Sequence, residues 1–208
     1  MKITLIVILV LIILCVVLLF VSFIKKENDS IKFEKSHKNE FFVVQNNKDE
    51  PEWISKEIAN ILSRLTAKID KLVQNMKDTN FPSINISKRL DKRWRNIRDN
   101  PSGLRETSIT DKIAAYTINK GQEMRICVRD HSKSSKKFQD ENTMMFVMLH
   151  ELGHIMSISY GHNAEFKENF SAITTRALEL GIYIYEPFDK ENKEFCGTLI
   201  TNSPVTIN

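Results

Sequence analysis

The sequence predicts an α+β protein: one N-terminal transmembrane helix, a tether, and a compact, mainly helical domain with a small β-sheet. Three observations carry that reading. Residues 3–24 run for 22 positions without a charge, a glycine or a proline. From residue 51 onward, apolar residues recur at helical spacing in several separate stretches. Between these stretches, two short runs of strand character flank a polar turn at 119–122.

Composition agrees with the division. The 208 residues carry a net charge of +4, and 42% of them are hydrophobic. Of the first 24, 21 are apolar and only Lys2 is charged. The other 184, with 29 Lys+Arg and 26 Asp+Glu, are about 36% apolar, near an ordinary small globular domain. They suffice for one core. Three cysteines, Cys15 among them in the leader, exclude a disulfide framework. The charge balance is too even to point to nucleic acid. Collagen-like and wholly disordered classes are excluded.

The elements follow in order. At about 1.5 Å per residue, residues 3–24 reach about 33 Å as a helix, enough to span a bilayer core. The run is too long for the apolar region of a cleaved signal peptide, and no small-residue cleavage site follows it. Lys2 precedes the span, and Lys25, Lys26, Lys32, Lys35 and Lys38 follow it, which places the C-terminal domain in the cytoplasm. A lumenal domain would instead allow Cys127 and Cys196 to pair. Residues 25–50 read as a tether, with one short strand at Phe41-Phe42-Val43-Val44. Pro51 opens a helix of about 25 residues, marked by Ile54, Ile58, Ile61, Leu62, Leu65, Ile69, Leu72, Val73 and Met76. A second helix at 87–98 turns Leu90, Trp94 and Ile97 inward. Its other face carries Lys88, Arg89, Lys92, Arg93, Arg95 and Arg98. Residues 114–118 and 123–129 read as a hairpin, followed by a polar loop at 131–137. Asp140 caps a helix that is apolar almost all round and therefore deeply buried. A last helix spans about 163–180 and stops at Gly181. Residues 182–185 and 198–201 read as short strands.

The buried helix carries His150-Glu151-Leu152-Gly153-His154. Histidines at i and i+4 share one helix face, one turn apart, so both imidazoles reach a single zinc ion at about 2.0–2.1 Å. Glu151 is placed to take a proton from water at the metal. A catalytic zinc needs a third protein ligand and an open position. Three candidates lie downstream: His162, Glu165 and Glu168. On an unbroken helix His162 would stand about 12 Å beyond His154. Tyr160-Gly161 supplies the turn that brings it back. Glu165 is also explained as a first-turn acid of the next helix.

This constellation, His150-Glu151-Leu152-Gly153-His154 and then Gly161-His162-Asn163-Ala164-Glu165-Phe166, resembles the zinc metallopeptidases of the WLM and SprT-like group. It is more similar still to membrane-anchored members predicted in large DNA viruses. The approach through Arg125-Ile126-Cys127-Val128-Arg129 and the tail Phe195-Cys196-Gly197 are similar too, so the resemblance covers about residues 85–205. Seven residues separate His154 from His162, more than WLM members usually have. The resemblance implies a zincin-like domain, Zn2+ held by His150, His154 and His162, and Glu151 as catalytic acid/base. It implies a protein or peptide substrate laid along 123–129, and a viral or host internal membrane for the anchor. Tyr160, Tyr183 and Tyr185 are the candidates for stabilising an oxyanion.

The expected function is therefore a membrane-anchored zinc metallopeptidase, held in the lipid bilayer through residues 3–24. Two other readings stand beside it. One is a zinc-stabilised membrane structural or interaction protein without proteolytic activity. The other is a membrane-tethered nucleic-acid-associated protein that uses the basic helix 88–98.

Overall fold

A computed structural model describes residues 2–29, 31–47, 50–108, 113–130 and 137–206; in its first helix, side chains are described over residues 8–22. That helix, α1, runs Lys2–Asp29. Among the described residues no helix is long and apolar enough to cross a membrane. The transmembrane helix expected at 3–24 lies partly outside the described side chains, so the structure shows a helix there without showing a span.

The expected tether is more ordered than its composition announced. Strands β1 (Ile31–Lys35) and β2 (Phe41–Gln45) form an antiparallel hairpin with Ile31 opposite Gln45. β2 joins the main sheet by pairing in parallel with β3 (Leu104–Glu106), Val43 opposite Arg105. Val43 and Val44 are buried at 1% and 0% exposure, which fixes this hairpin to the body by core burial.

Helix α2 (Glu52–Asp78) bears out the periodic apolar face: Ile58, Leu62, Leu65, Ile69 and Leu72 have no exposed surface. Each such burial stabilises by about 1.5–3 kcal/mol. Helix α3 (Ile84–Arg98) begins three residues before the expected start, because Ser83 caps it by accepting from the Ile86 amide. Trp94 lies in the core and donates from Nε1 to Asp70 Oδ1 at 2.7 Å.

Strands β4 (Ala115–Ile118) and β5 (Glu123–Ile126) form the expected hairpin. The main sheet has the order β1-β2-β3-β5-β4. β5 is therefore an inner strand, paired in parallel with β3 and antiparallel with β4, and β4 is the edge. The loop expected at 131–137 lies, apart from Lys137, outside the described residues.

Helix α4 (Glu141–Met156) packs against β4, α3 and helix α5 (Ala164–Glu179). Residues 182–185 are not a strand. The amides of Ile182 and Tyr183 both donate to Ala177 O, at 2.9 and 3.3 Å, and close the end of α5 instead. Strands β6 (Lys193–Phe195) and β7 (Thr198–Ile200) make a separate hairpin. A disulfide between Cys127 and Cys196, with Cα atoms 6.5 Å apart, ties this hairpin to the end of β5.

Candidate metal centre and active site

Helix α4 is set by its cap and its neighbours. Asp140 accepts from the Thr143 amide at 2.8 Å, and Met144, Met148, Leu149, Leu152 and Ile155 are fully buried. His150 and His154 share the one face left for chemistry. Gly153 lets α5 come close: a Cβ there would stand 3.1 Å from Phe170 Cβ and 3.2 Å from the Phe166 ring. A Cβ at this position would need these neighbours on α5 to yield by a few tenths of an ångström.

α4 stops at Met156, and the chain turns back through 157–163. Gly161 sits at φ +79°, a left-handed conformation that side chains with a Cβ rarely adopt. Glu165 fixes this return loop by accepting from the amides of Ile158 at 2.8 Å and Ser159 at 2.9 Å and from the Ser159 hydroxyl. These bonds, the hydroxyl first, hold its carboxyl down at about 2. Asn163 accepts from the Phe166 amide at 3.1 Å and starts α5. The outcome is that His162 Nε2 lies 3.0 Å from His150 Nε2 and 3.2 Å from His154 Nε2.

The donor set fits a zinc ion. Nitrogens at the corners of a tetrahedron, each about 2.05 Å from the metal, are about 3.3 Å apart, close to the two distances observed. Burial, with the neighbouring imidazoles adding to it, holds His150 down at about 3. Burial, then His162 and Lys120, hold His154 down at about 4. Both rings are therefore neutral at physiological pH, with lone pairs available to a metal. Phe166 stacks on His154 at 4.2 Å between centroids and meets His150 and His162 at 4.8 Å, so one aromatic ring orients all three imidazoles. Among the described residues, these three histidines are the group able to hold a metal. Both oxygens of Glu165 are engaged on the return loop, and Glu168 is exposed on α5 outside the cluster.

Glu151 points from α4 toward the sheet and is 7% exposed. Burial pushes its carboxyl up to about 7. Thr117 of β4 opposes that shift, donating from Oγ1 to Glu151 Oε2 at 2.9 Å and adding a main-chain hydrogen bond. A cleft of about 360 Å³ opens over the cluster, lined by Thr117, Lys120, Glu151, Tyr160 and the three histidines. The strand along it is β4, not the expected 123–129, whose two edges are already paired. Of the tyrosines singled out by sequence, Tyr160 lines the cleft, 78% exposed, with Lys120 Nζ over its ring at 4.4 Å. Tyr183 is buried against Phe146, and neither it nor Tyr185 lines the cleft. Thr117 and Lys120 had no signal in the sequence beyond their place beside a turn.

The basic face of α3 has structural partners. Arg89 donates to Met156 O at 2.5 Å, and Arg93 to Ile155 O at 2.6 Å and Ser157 O at 2.9 Å. Arg95 pairs with Asp91, and Arg98 with Glu40 and Asp70.

A family model described as the WLM domain matches residues 104–207. An uncharacterized protein of Acanthamoeba polyphaga mimivirus is 31% identical over 97 residues, 47% of this chain and 48% of that protein. Uncharacterized proteins of Invertebrate iridescent virus 3 and Invertebrate iridescent virus 6 are 37% and 29% identical, over 42% and 41% of this chain and 52% and 47% of their own lengths. The chain thus spans about half the length of the curated relatives it matches. Among solved structures, a crystal structure of Wss1 from Saccharomyces cerevisiae is similar with a TM-score of 0.40 and 17% identity, over 72% of this chain and 91% of that one.

Proposed function

The chain belongs to the WLM domain family, and from that premise we propose that it is a membrane-anchored zinc metallopeptidase. The observation that carries the proposal is the convergence of three imidazoles with one buried carboxyl beside a sheet edge. His150, His154 and His162 would hold the ion, which when bound supplies a Lewis acid and an acidified water at neutral pH. Glu151 does the proton work. Thr117 holds its carboxyl, which takes the water proton and delivers it to the leaving amine. A substrate in extended conformation adds to β4 by main-chain hydrogen bonds and brings its scissile carbonyl over the histidines. Lys120 and Tyr160 form the lip of the cleft and stand on the side open to substrate.

Helix α1 supports the anchor. Its described large hydrophobic side chains, from Ile8 to Val21, are each at least 50% exposed, on every side of the helix. Such a surface is stable in hydrocarbon and unstable in water. The five lysines after it carry the cytoplasmic placement of the domain. The disulfide argues the other way, since such bridges form in oxidising compartments. Protease added to sealed vesicles tests this: digestion of the domain from outside supports the cytoplasmic side, and its protection, or a glycan on Asn85 of the acceptor tripeptide Asn85-Ile86-Ser87, overturns it.

The chemistry is tested on the full-length chain in lipid nanodiscs. Wild type should carry one zinc per chain and cleave peptides. His150→Ala and His162→Ala should lose the zinc. Glu151→Gln should keep it and lose cleavage by about a hundredfold or more. Unchanged cleavage in Glu151→Gln would sink the mechanism.

A further inference from the structure

A second cavity adjoins the cleft. It has a volume of about 440 Å³ and shares Ala115, His150, Glu151 and His162 with the first. Away from these shared residues its character changes. Val147 of α4, Phe166 and Phe170 of α5, and Phe195, Leu199 and Ile200 of the β6–β7 hairpin form the walls, with Lys167 the one further charged residue. Two large apolar side chains, Ile113 and Leu199, stand at its mouth and are each 57% exposed. Apart from Lys167 and the residues shared with the cleft, polar side chains are confined to Thr198, Thr201 and Asn202.

We infer that this cavity is a specificity pocket for a large apolar side chain, Phe, Leu or Met, adjoining the scissile bond of the substrate. The inference rests on the peptidase reading and names the substrate class of that site. The occupant follows from position and chemistry. A peptide added along β4 passes Ala115, the residue at which the two cavities meet, so alternate side chains point toward the pocket. The one carboxylate on its walls is Glu151, which Thr117 already holds and the proposed chemistry requires, the one further cation is Lys167, and the rest of the lining is mainly apolar. An acidic side chain would have to lie beside Glu151. A large apolar side chain loses its hydration there and covers the two side chains now left to water. The Phe195–Ile200 wall is held in place by the bridge at Cys196, so the pocket is preformed rather than assembled on binding.

The test is equilibrium binding by fluorescence anisotropy. Full-length Glu151→Gln chain with zinc, in lipid nanodiscs, is titrated against labelled peptides of one frame. A single position is varied among Phe, Leu, Gly, Asp and Lys, and that position is then moved along the frame. At one position Phe and Leu should bind about 10- to 200-fold more tightly than Gly or Asp. Leu199→Asp, on an exposed wall position, should reduce that preference at least tenfold and raise affinity for the Lys peptide. Leu199→Ser, which adds no charge, should move the preference the same way to a smaller extent. Equal binding of all five at every position, or a preference untouched by both substitutions, overturns the pocket. Cleavage by wild-type chain is scored in parallel. Cleavage with no apolar preference overturns the pocket and leaves the peptidase reading intact. An apolar binding preference without cleavage overturns the peptidase reading and leaves a peptide-binding pocket.

Discussion

Glu151 is held by Thr117, and its environment sets when it carries charge. Without metal, burial keeps its carboxyl at about 7, up from 4.5. A carboxyl raised by folding keeps its proton in the folded chain where the unfolded chain has lost it. The stability it lends is full below about pH 4.5 and is lost as pH rises through 7. Metal-free wild type compared with metal-free Glu151→Gln should therefore lose relative stability across that window, by about 3 kcal/mol in all. The depressed histidines act with the opposite sign, but they are present in both proteins and cancel. Denaturant titrations at several pH values read the difference, and a flat difference contradicts the buried carboxyl. At this scale the sequence was most legible where spacing alone sets geometry. His150 and His154 follow from the helical repeat, and the return of His162 follows from Gly161. Thr117 was not legible, because its partner lies 34 residues away across a sheet edge that only the fold creates.

Helix α4 ends in a ring of cations. Arg89, Arg93 and Lys120 supply donors to the carbonyls of His154, Ile155, Met156, Ser157 and Ser159, at the negative end of the helix dipole. Two of the six cations on the basic face of α3, Arg89 and Arg93, are thus turned to holding the turn that carries His162. Arg93→Met should remove two charge-assisted bonds, destabilise the chain by about 1.5–3 kcal/mol and lower Tm by about 3–12 °C. Zinc affinity, measured by competition with a chelator, should weaken with it. An unchanged Tm and zinc affinity would assign the face to another role. The long helices were legible because their apolar repeat is local and sustained, as in α2 and α4. The sheet was not. β3 has three residues and no period to read, and its parallel pairings with β2 and β5 join segments about 60 and 20 residues apart. The family resemblance laid the substrate along 123–129. Once β3 occupies one side of β5, the edge passes to β4.

At the scale of the whole molecule, two ties act on one core. α1 leads directly into β1, so the sheet begins within a few residues of the proposed membrane anchor. The bridge between Cys127 and Cys196 joins positions 69 residues apart. Closing a loop of that length limits the unfolded chain by about 4 kcal/mol on a chain-entropy account. Cys127→Ser with Cys196→Ser should then lower Tm by about 8–16 °C, read by calorimetry with and without reductant, and an equal Tm would mean that the pair is reduced in the purified chain. The same bridge makes a covalent ring of 127–196, and α4, the return loop and α5 all lie inside it. A cut by a protease in the exposed stretch around Tyr160 and Gly161 would separate His150 and His154 from His162 along the chain without separating them in space. Such nicked molecules would run as one band on a gel without reductant and as two with it, and would keep their histidine cluster together until a thiol opened the ring.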